Sequence, residues 1–205
     1  GWAEPHAAVK VETSWGAGAA VKSDADGRWA VSVRTPAGSY EPQRITFASG
    51  DRVTFDRVLI GEVWFAGGQS NMEMPLGGFW QCPVTDANEI IARASAKSGK
   101  LHYVKIPHAA AYTPQDRTAG SWTPCTTATA AKFTAAGYFF AEMLNDVLSV
   151  PVGIIDCSWG GSRVESWMSR EVLSGYSDID LTEEGISRVA QHLRPMVMYN
   201  ACLLY

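Results

Sequence analysis

Residues 63–70 constrain this chain most. A short apolar run, Val63-Trp64-Phe65-Ala66, meets Gly67-Gly68, and a lone serine, Ser70, follows Gln69. The run suits a buried strand, and residues without a side chain let it stop and turn sharply. A hydroxyl placed at a strand's carboxyl end in this way can act as a nucleophile, with backbone N–H groups near the developing oxyanion. An ordinary turn would carry the same residues, so both readings stand at this point.

The rest of the chain divides by texture. Through about residue 58 the pattern is β. Val9–Thr13 and Trp29–Val33 alternate, Ile45–Phe47 and Val53–Phe55 continue the alternation, and Asp24-Ala25-Asp26-Gly27 carries the Asp-Gly signal of a tight hairpin. Short strands at this spacing predict a partial β-sandwich domain over residues 1–58, lacking its opening strand. From residue 59 the texture is α/β. Strands are expected at Glu62–Ala66, Leu101–Ile106 and Val152–Ile155, and helices at Ala87–Ala96 and Glu183–His192. Phe133, Gly137, Phe140, Met143, Leu144, Val147 and Leu148 fall on helical spacing, which predicts an amphipathic helix over Lys132–Leu148. Such alternation implies a mostly parallel sheet with ligand sites at the strands' carboxyl ends, where Ser70 and Gly160-Gly161 both fall.

Composition excludes several classes. The chain is 46% hydrophobic and 19% charged, the balance of a folded protein rather than a disordered one. A net charge of −4 without a basic run argues against nucleic acid as a partner. No apolar stretch reaches the roughly 20 residues of a membrane span. Cys82, Cys125, Cys157 and Cys202 form no Cys-x-x-Cys pair and no zinc-ligand spacing, so no metal or other cofactor is expected. They read as buried thiols or as one disulfide in an exported protein. Eight tryptophans and seven tyrosines suit either sugar stacking or core filling. The chain opens at Gly1-Trp2-Ala3 without methionine and closes at Leu203-Leu204-Tyr205 inside an apolar run, so both ends read as cut.

Three blocks together carry a family resemblance. Glu62-Val63-Trp64 with Gly68-Gln69-Ser70-Asn71-Met72-Glu73-Met74 resembles the nucleophile block of the sialate O-acetylesterase family, a branch of the SGNH hydrolases. Val152–Asp156 followed by Ser158-Trp159-Gly160-Gly161-Ser162 and Glu165-Ser166-Trp167 is similar to that family's second block, and Arg194–Ala201 to a later one. Met72 stands where an α/β-hydrolase turn would carry its second glycine, which favours the SGNH turn. Gly67 replaces the serine usual in the family at that position.

The resemblance implies an SGNH-hydrolase-like sheet with flanking helices over residues 59–205, incomplete in this chain. It implies Ser70 as catalytic nucleophile of a carbohydrate esterase that removes O-acetyl groups, in the first instance from sialic acids. Ser70, Gly160 and Gly161 would line the oxyanion hole through their N–H groups, and Gln69, Asn71 and Glu165 would support the site. None of His6, His102, His108 or His192 stands in an Asp-x-x-His context. In the family the catalytic histidine and acid lie downstream, which here means beyond Tyr205. The partner is therefore the rest of the same protein, and the residues given would be inactive alone. His192 is the choice if the base lies within this chain. A periplasmic or secreted location also follows from the resemblance. Two other readings remain: a glycan-binding or scaffold protein with a degenerate hydrolase domain, and a related esterase acting on lipids or thioesters.

Overall fold

The structure, a computed structural model, describes residues 1–202. Leu203–Tyr205, the end read as cut, lie outside the described residues. The chain separates into two units, one of Gly1–Glu62 with Ser149–Pro151 and the other beginning at Val63, leaving at Leu148 and resuming at Val152.

The first unit is a four-stranded antiparallel sheet: β1 (Ala8–Thr13), β2 (Gly18–Lys22), β3 (Ser39–Ser49) and β4 (Asp51–Ile60), in the order β2-β1-β3-β4. Val9 and Val11 alternate inward on β1 and are buried. Phe47 pairs with Val53 across β3 and β4, and its ring packs 5.8 Å from both Trp29 and Phe55. The expected strand Trp29–Val33 does not form. Both edges of β1 are occupied, by β2 through Val9↔Val21 and by β3 through Val11↔Phe47, and the run is tied at its start to the chain's first residues, Arg28 bridging Trp2 and Trp29 N–H donating to the Gly1 carbonyl at 2.9 Å. The Asp24–Gly27 turn does form, with Asp24 Oδ1 accepting the N–H groups of Asp26 and Arg28. Among the described residues this unit holds a single sheet, so the sandwich expected over residues 1–58 lacks its second layer here. Ser149–Pro151 joins the unit where Glu62 N–H donates to the Pro151 carbonyl at 2.9 Å.

The second unit opens with β5 (Glu62–Gly68) and the single turn α1 (Ser70–Glu73). Helix α2 (Ala87–Arg93), β6 (Leu101–Lys105), β7 (Thr123–Pro124), α3 (Ala135–Leu148) and β8 (Val152–Ser158) follow. Three short helices complete it: α4 (Arg170–Leu173), α5 (Glu183–Ser187) and α6 (Val197–Cys202). The sheet order is β5-β8-β6-β7, with β6 parallel to β8 and antiparallel to β7. Val152 and Ile154 of β8 and Leu101 and Tyr103 of β6 meet Leu76, Phe133 and Tyr138 in the main core.

Helix α3 begins three residues later than Lys132 and buries a different face from the one its large residues outline. Its inward side is Ala135, Gly137, Tyr138, Ala141 and Asn145, whereas Phe140, Met143 and Val147 are 40%, 69% and 74% exposed. Close approach explains the choice. A Cβ at Gly137 would lie 2.6 Å from Thr134 Cγ2 and 3.2 Å from Ile154 Cγ2 of the sheet, so a side chain at that point would be crowded. The 183–192 helix shortens to α5 plus a 3-10 turn at Gln191–Leu193. All four cysteines are free thiols, and Cys157 and Cys202 pack together in a second core cluster.

Phe133 is fully buried against Tyr103 (4.6 Å between ring centroids) and Tyr138 (5.8 Å). Phe133→Ala should therefore cost about 3–5 kcal/mol of stability, read as a lowered denaturant midpoint.

Candidate functional site

The site is built where β5 and β8 end. Gly68 closes β5 with φ +156°, a region costly for residues with a side chain, and a Cβ there would lie 3.1 Å from that of Met72. The carbonyl of Gln69 then accepts the N–H groups of Met72 and Glu73 at 2.9 and 2.8 Å, and this turn is α1. Ser70 is its first residue and is exposed. At that position a backbone N–H has no partner within the helix. The chain leaving α1 is pinned: Ala135 N–H donates to the Met74 carbonyl at 2.8 Å, and Leu76 N–H to that of Phe133 at 2.7 Å. Thr134, fully buried, adds a hydroxyl contact of 3.7 Å to Met72 Sδ.

From the other side the loop after β8 arrives. Trp159 N–H donates to the Gly68 carbonyl at 3.0 Å, stitching the two strand ends together. Gly160 follows, so close to the serine that a Cβ on it would lie 3.6 Å from Ser70 Oγ and 2.8 Å from Glu73 Oε2. Its N–H donates to Glu73 Oε2 at 2.5 Å. Glu73 Oε1 meets His108 Nε2 at 2.5 Å, and the His108 ring lies flat on the Trp159 indole, 4.4 Å between centroids and 3° between planes. Gly161 has φ +77°, and a Cβ there would stand 3.4 Å from His192 Nε2. The His192 ring also leans on Trp159, at 6.0 Å and 34°.

The structure thus brings Gly160 up against Ser70, with Gly161, the next residue of the same loop, facing His192. The supporting residues are distributed around the site. Gln69 contributes its carbonyl to α1, and the exposed Asn71 side chain makes no hydrogen bond among the described residues. Glu165 sits in a 3-10 turn, Val164–Trp167, and anchors it through its carbonyl, which accepts Met196 N–H at 2.9 Å. Trp167 Nε1 donates to the buried Ser162 hydroxyl at 3.0 Å, and Ser166 Oγ to the His192 carbonyl at 2.9 Å, so this turn braces the glycine loop and His192. No histidine hydrogen-bonds Ser70 among the described residues. Sequence reasoning reaches Glu73 only as part of the nucleophile block and misses its link to His108 and Gly160. A carboxylate in a helix's first turn is a signal for N–H contact, but nothing in the sequence links it to a glycine 87 positions later.

Asp156, on β8 just before this loop, is fully buried. Ser158 Oγ donates to its Oδ1 at 2.5 Å, while its Oδ2 has no hydrogen-bond partner and faces Lys105 Nζ only at 3.5 Å. Burial pushes this carboxyl above the usual aspartate range, against the opposing effects of Ser158 and Lys105, and the Glu73 charge adds to the rise. Among the described residues no group of three side chains is placed to hold a metal ion, and no helix is long and apolar enough to cross a membrane.

No family model matches the chain. Two curated relatives, the sialate O-acetylesterases of Rattus norvegicus and Mus musculus, are each 30% identical to it, over 146 and 149 residues. Each match covers 68% of this chain and 26% of the relative, so the chain spans about a quarter of the length of these proteins. A crystal structure of a carbohydrate acetylesterase from Xanthomonas citri matches with a TM-score of 0.83 and 35% identity, over 98% of this chain and 42% of that one.

The raised Asp156 pKa sets a pH dependence. Its contribution to stability is complete below its unfolded value, near 3.8, and is lost as pH rises through the higher folded value. Asp156→Asn should therefore gain stability relative to wild type as pH rises above that window, measured as urea midpoints across mildly acidic to neutral pH.

Proposed function

We propose, from the premise that this chain belongs to the sialate O-acetylesterase family, that it carries the nucleophile of a carbohydrate esterase that removes O-acetyl groups from sugars. The observation that carries this reading is the close approach of Gly160, in the glycine loop after β8, to Ser70 at the end of β5, on residues that the family's blocks mark. Sialic acid is the preferred sugar, since the curated relatives are named for it.

In the proposed reaction Ser70 Oγ attacks the acetyl carbonyl carbon and gives its proton to a general base. The carbonyl oxygen becomes an oxyanion and is met by the Ser70 N–H and an N–H of the glycine loop. The bond from carbonyl carbon to sugar oxygen then breaks, and the base returns the proton to the departing sugar hydroxyl. Water attacks the acetyl-serine, the base takes its proton and hands it to Ser70 Oγ, and acetate leaves. The base and its orienting acid belong to polypeptide beyond Tyr205. That assignment is supported by the lack of a histidine hydrogen bond to Ser70 among the described residues, and by the greater length of the relatives. The fold is assigned to the SGNH type on the sequence blocks and the likeness to the carbohydrate acetylesterase structure, with residues 1–58 as a separate β-domain and residues 59–205 as the first part of the catalytic domain. The location is periplasmic or secreted. No cofactor takes part.

The protein in its full natural length should release acetate from O-acetylated sialic acid and take a fluorophosphonate adduct on Ser70, mapped by peptide mass. Ser70→Ala should lose both, with a rate loss of about 10³-fold or more. A folded, full-length protein that binds the sugar but takes no adduct would instead be a glycan-binding protein.

A further inference from the structure

We propose that Glu73 is a positioning residue for this reaction: braced by His108, its carboxylate holds the Gly160 peptide against the Ser70 turn and leaves the Gly161 N–H to serve as the second oxyanion donor. The inference rests on the acetylesterase reading above.

The carboxylate is shared between two partners at equal distance. Oε2 takes the Gly160 N–H and Oε1 takes His108 Nε2, each at 2.5 Å, with the Glu73 side chain only 16% exposed. Hydrogen bonds to an ionised acceptor are short and stronger than neutral ones. A Gly160 N–H committed in this way cannot give a second acceptor a full-strength bond. Gly161 N–H has no acceptor among the described residues, and Gly161 is the next peptide along the same loop. The contacts form a closed circuit. Glu73 lies three residues beyond Ser70 on α1, His108 bears on Glu73 and stacks on Trp159, and Trp159 N–H returns to the carbonyl of Gly68. A change in the carboxylate's position would thus move the glycine loop relative to the serine without touching either strand.

Charge also makes the brace necessary. Glu73 Oε2 lies 2.8 Å, and Ser70 Oγ 3.6 Å, from the same point beside Gly160, so an unpaired carboxylate there would oppose negative charge developing at the serine. His108 offsets that charge on one oxygen and the peptide N–H does so on the other. His108 therefore has two effects, orienting Glu73 and reducing its repulsion of the oxyanion, and these can be separated by substitution.

The test uses the full-length protein and an O-acetylated sugar, with Ser70→Ala as a control and circular dichroism as a check on folding. Glu73→Ala should lower kcat by about 10²-fold with KM held within about threefold, the signature of a contact made only in the transition state. Glu73→Gln keeps an oxygen for Gly160 N–H and an amide to face His108 Nε2, and should stay within about tenfold of wild type. His108→Ala should lower kcat, and Glu73→Gln added to His108→Ala should recover part of that loss, because the neutral amide no longer repels the oxyanion. A purely structural role gives no such recovery. Unchanged kcat in Glu73→Ala, or a double variant no faster than His108→Ala, overturns the proposal while a dead Ser70→Ala leaves the esterase reading intact. An active Ser70→Ala overturns the esterase reading itself. If Glu73→Ala fails to fold, the comparison of His108→Ala with the double variant decides the matter alone.

Discussion

The second unit depends on one missing side chain. Gly160 lets the loop after β8 come close enough to α1 for its N–H to reach Glu73, and the space a Cβ would need is already taken by the Glu73 carboxylate and bordered by Ser70. Any other residue there would push two strand ends apart, and with them the hydroxyl and the peptide groups around it. A hydrogen bond between elements 87 residues apart is costly to close by chain entropy, but the two strands lie in the same sheet and have already met that cost. The contact then only selects the last few ångströms. A parallel sheet is well suited to this, because it delivers several strand ends to one edge from distant parts of the sequence.

How much of this could be read beforehand follows from the range of the physics involved. Strands β5, β6 and β8 were legible because each is a compact apolar run bounded by glycine or proline, a signal contained within a few residues, but β5 is an outer strand with Val63, Trp64 and Phe65 exposed, not the buried strand its apolar run implied. The candidate residues Ser70, Gly160 and Gly161 are proposed for the same reason: each follows closely on such a run. β2 was not, since Gly18-Ala19-Ala20-Val21-Lys22 has neither strong alternation nor β-branched bulk and forms only because β1 offers it an edge. Trp29–Val33 failed in the opposite direction, with a good local pattern whose Trp29 end is tied to Gly1 instead of to either outer strand, β2 or β4. The face of α3 was misjudged because residue size was taken as a guide to burial. Where a helix packs tightly on a sheet, the small residues go inward, and Gly137 over Ile154 is the case in point. Glu73 and His108 were invisible as a pair because no short-range rule joins residues on different strands' loops.

The two imidazoles bear on Trp159 from different positions, His108 flat and His192 tilted. A residue whose backbone N–H is held by the Gly68 carbonyl and whose indole is stacked by His108 has little rotational freedom, so the peptide that follows it, Gly160, inherits a fixed direction. This matters more than the aromatic content of the chain as such. The tryptophans suit sugar stacking or core filling, and Trp159, bonded to Gly68 and stacked on His108, works as a structural plate. Its position is set by partners on three sides, which is what a peptide group needs if it is to be aimed before substrate arrives.

Buried Asp156 extends the same reasoning inward. A carboxylate with one oxygen satisfied by Ser158 and the other facing Lys105 at 3.5 Å is not a stabilising choice in a core that could have been filled with apolar residues. It stands two residues before Ser158 and three before Trp159, so the hydroxyl it holds belongs to the strand end from which the glycine loop departs. Tying Ser158 inward limits how far that strand end can fray, and the direction of β8 is carried into Trp159 and Gly160. Part of the stability lost by burying this charge therefore goes into rigidity at the edge of the sheet where Ser70 lies. That trade is expected where geometry, rather than free energy of folding, is what the site requires.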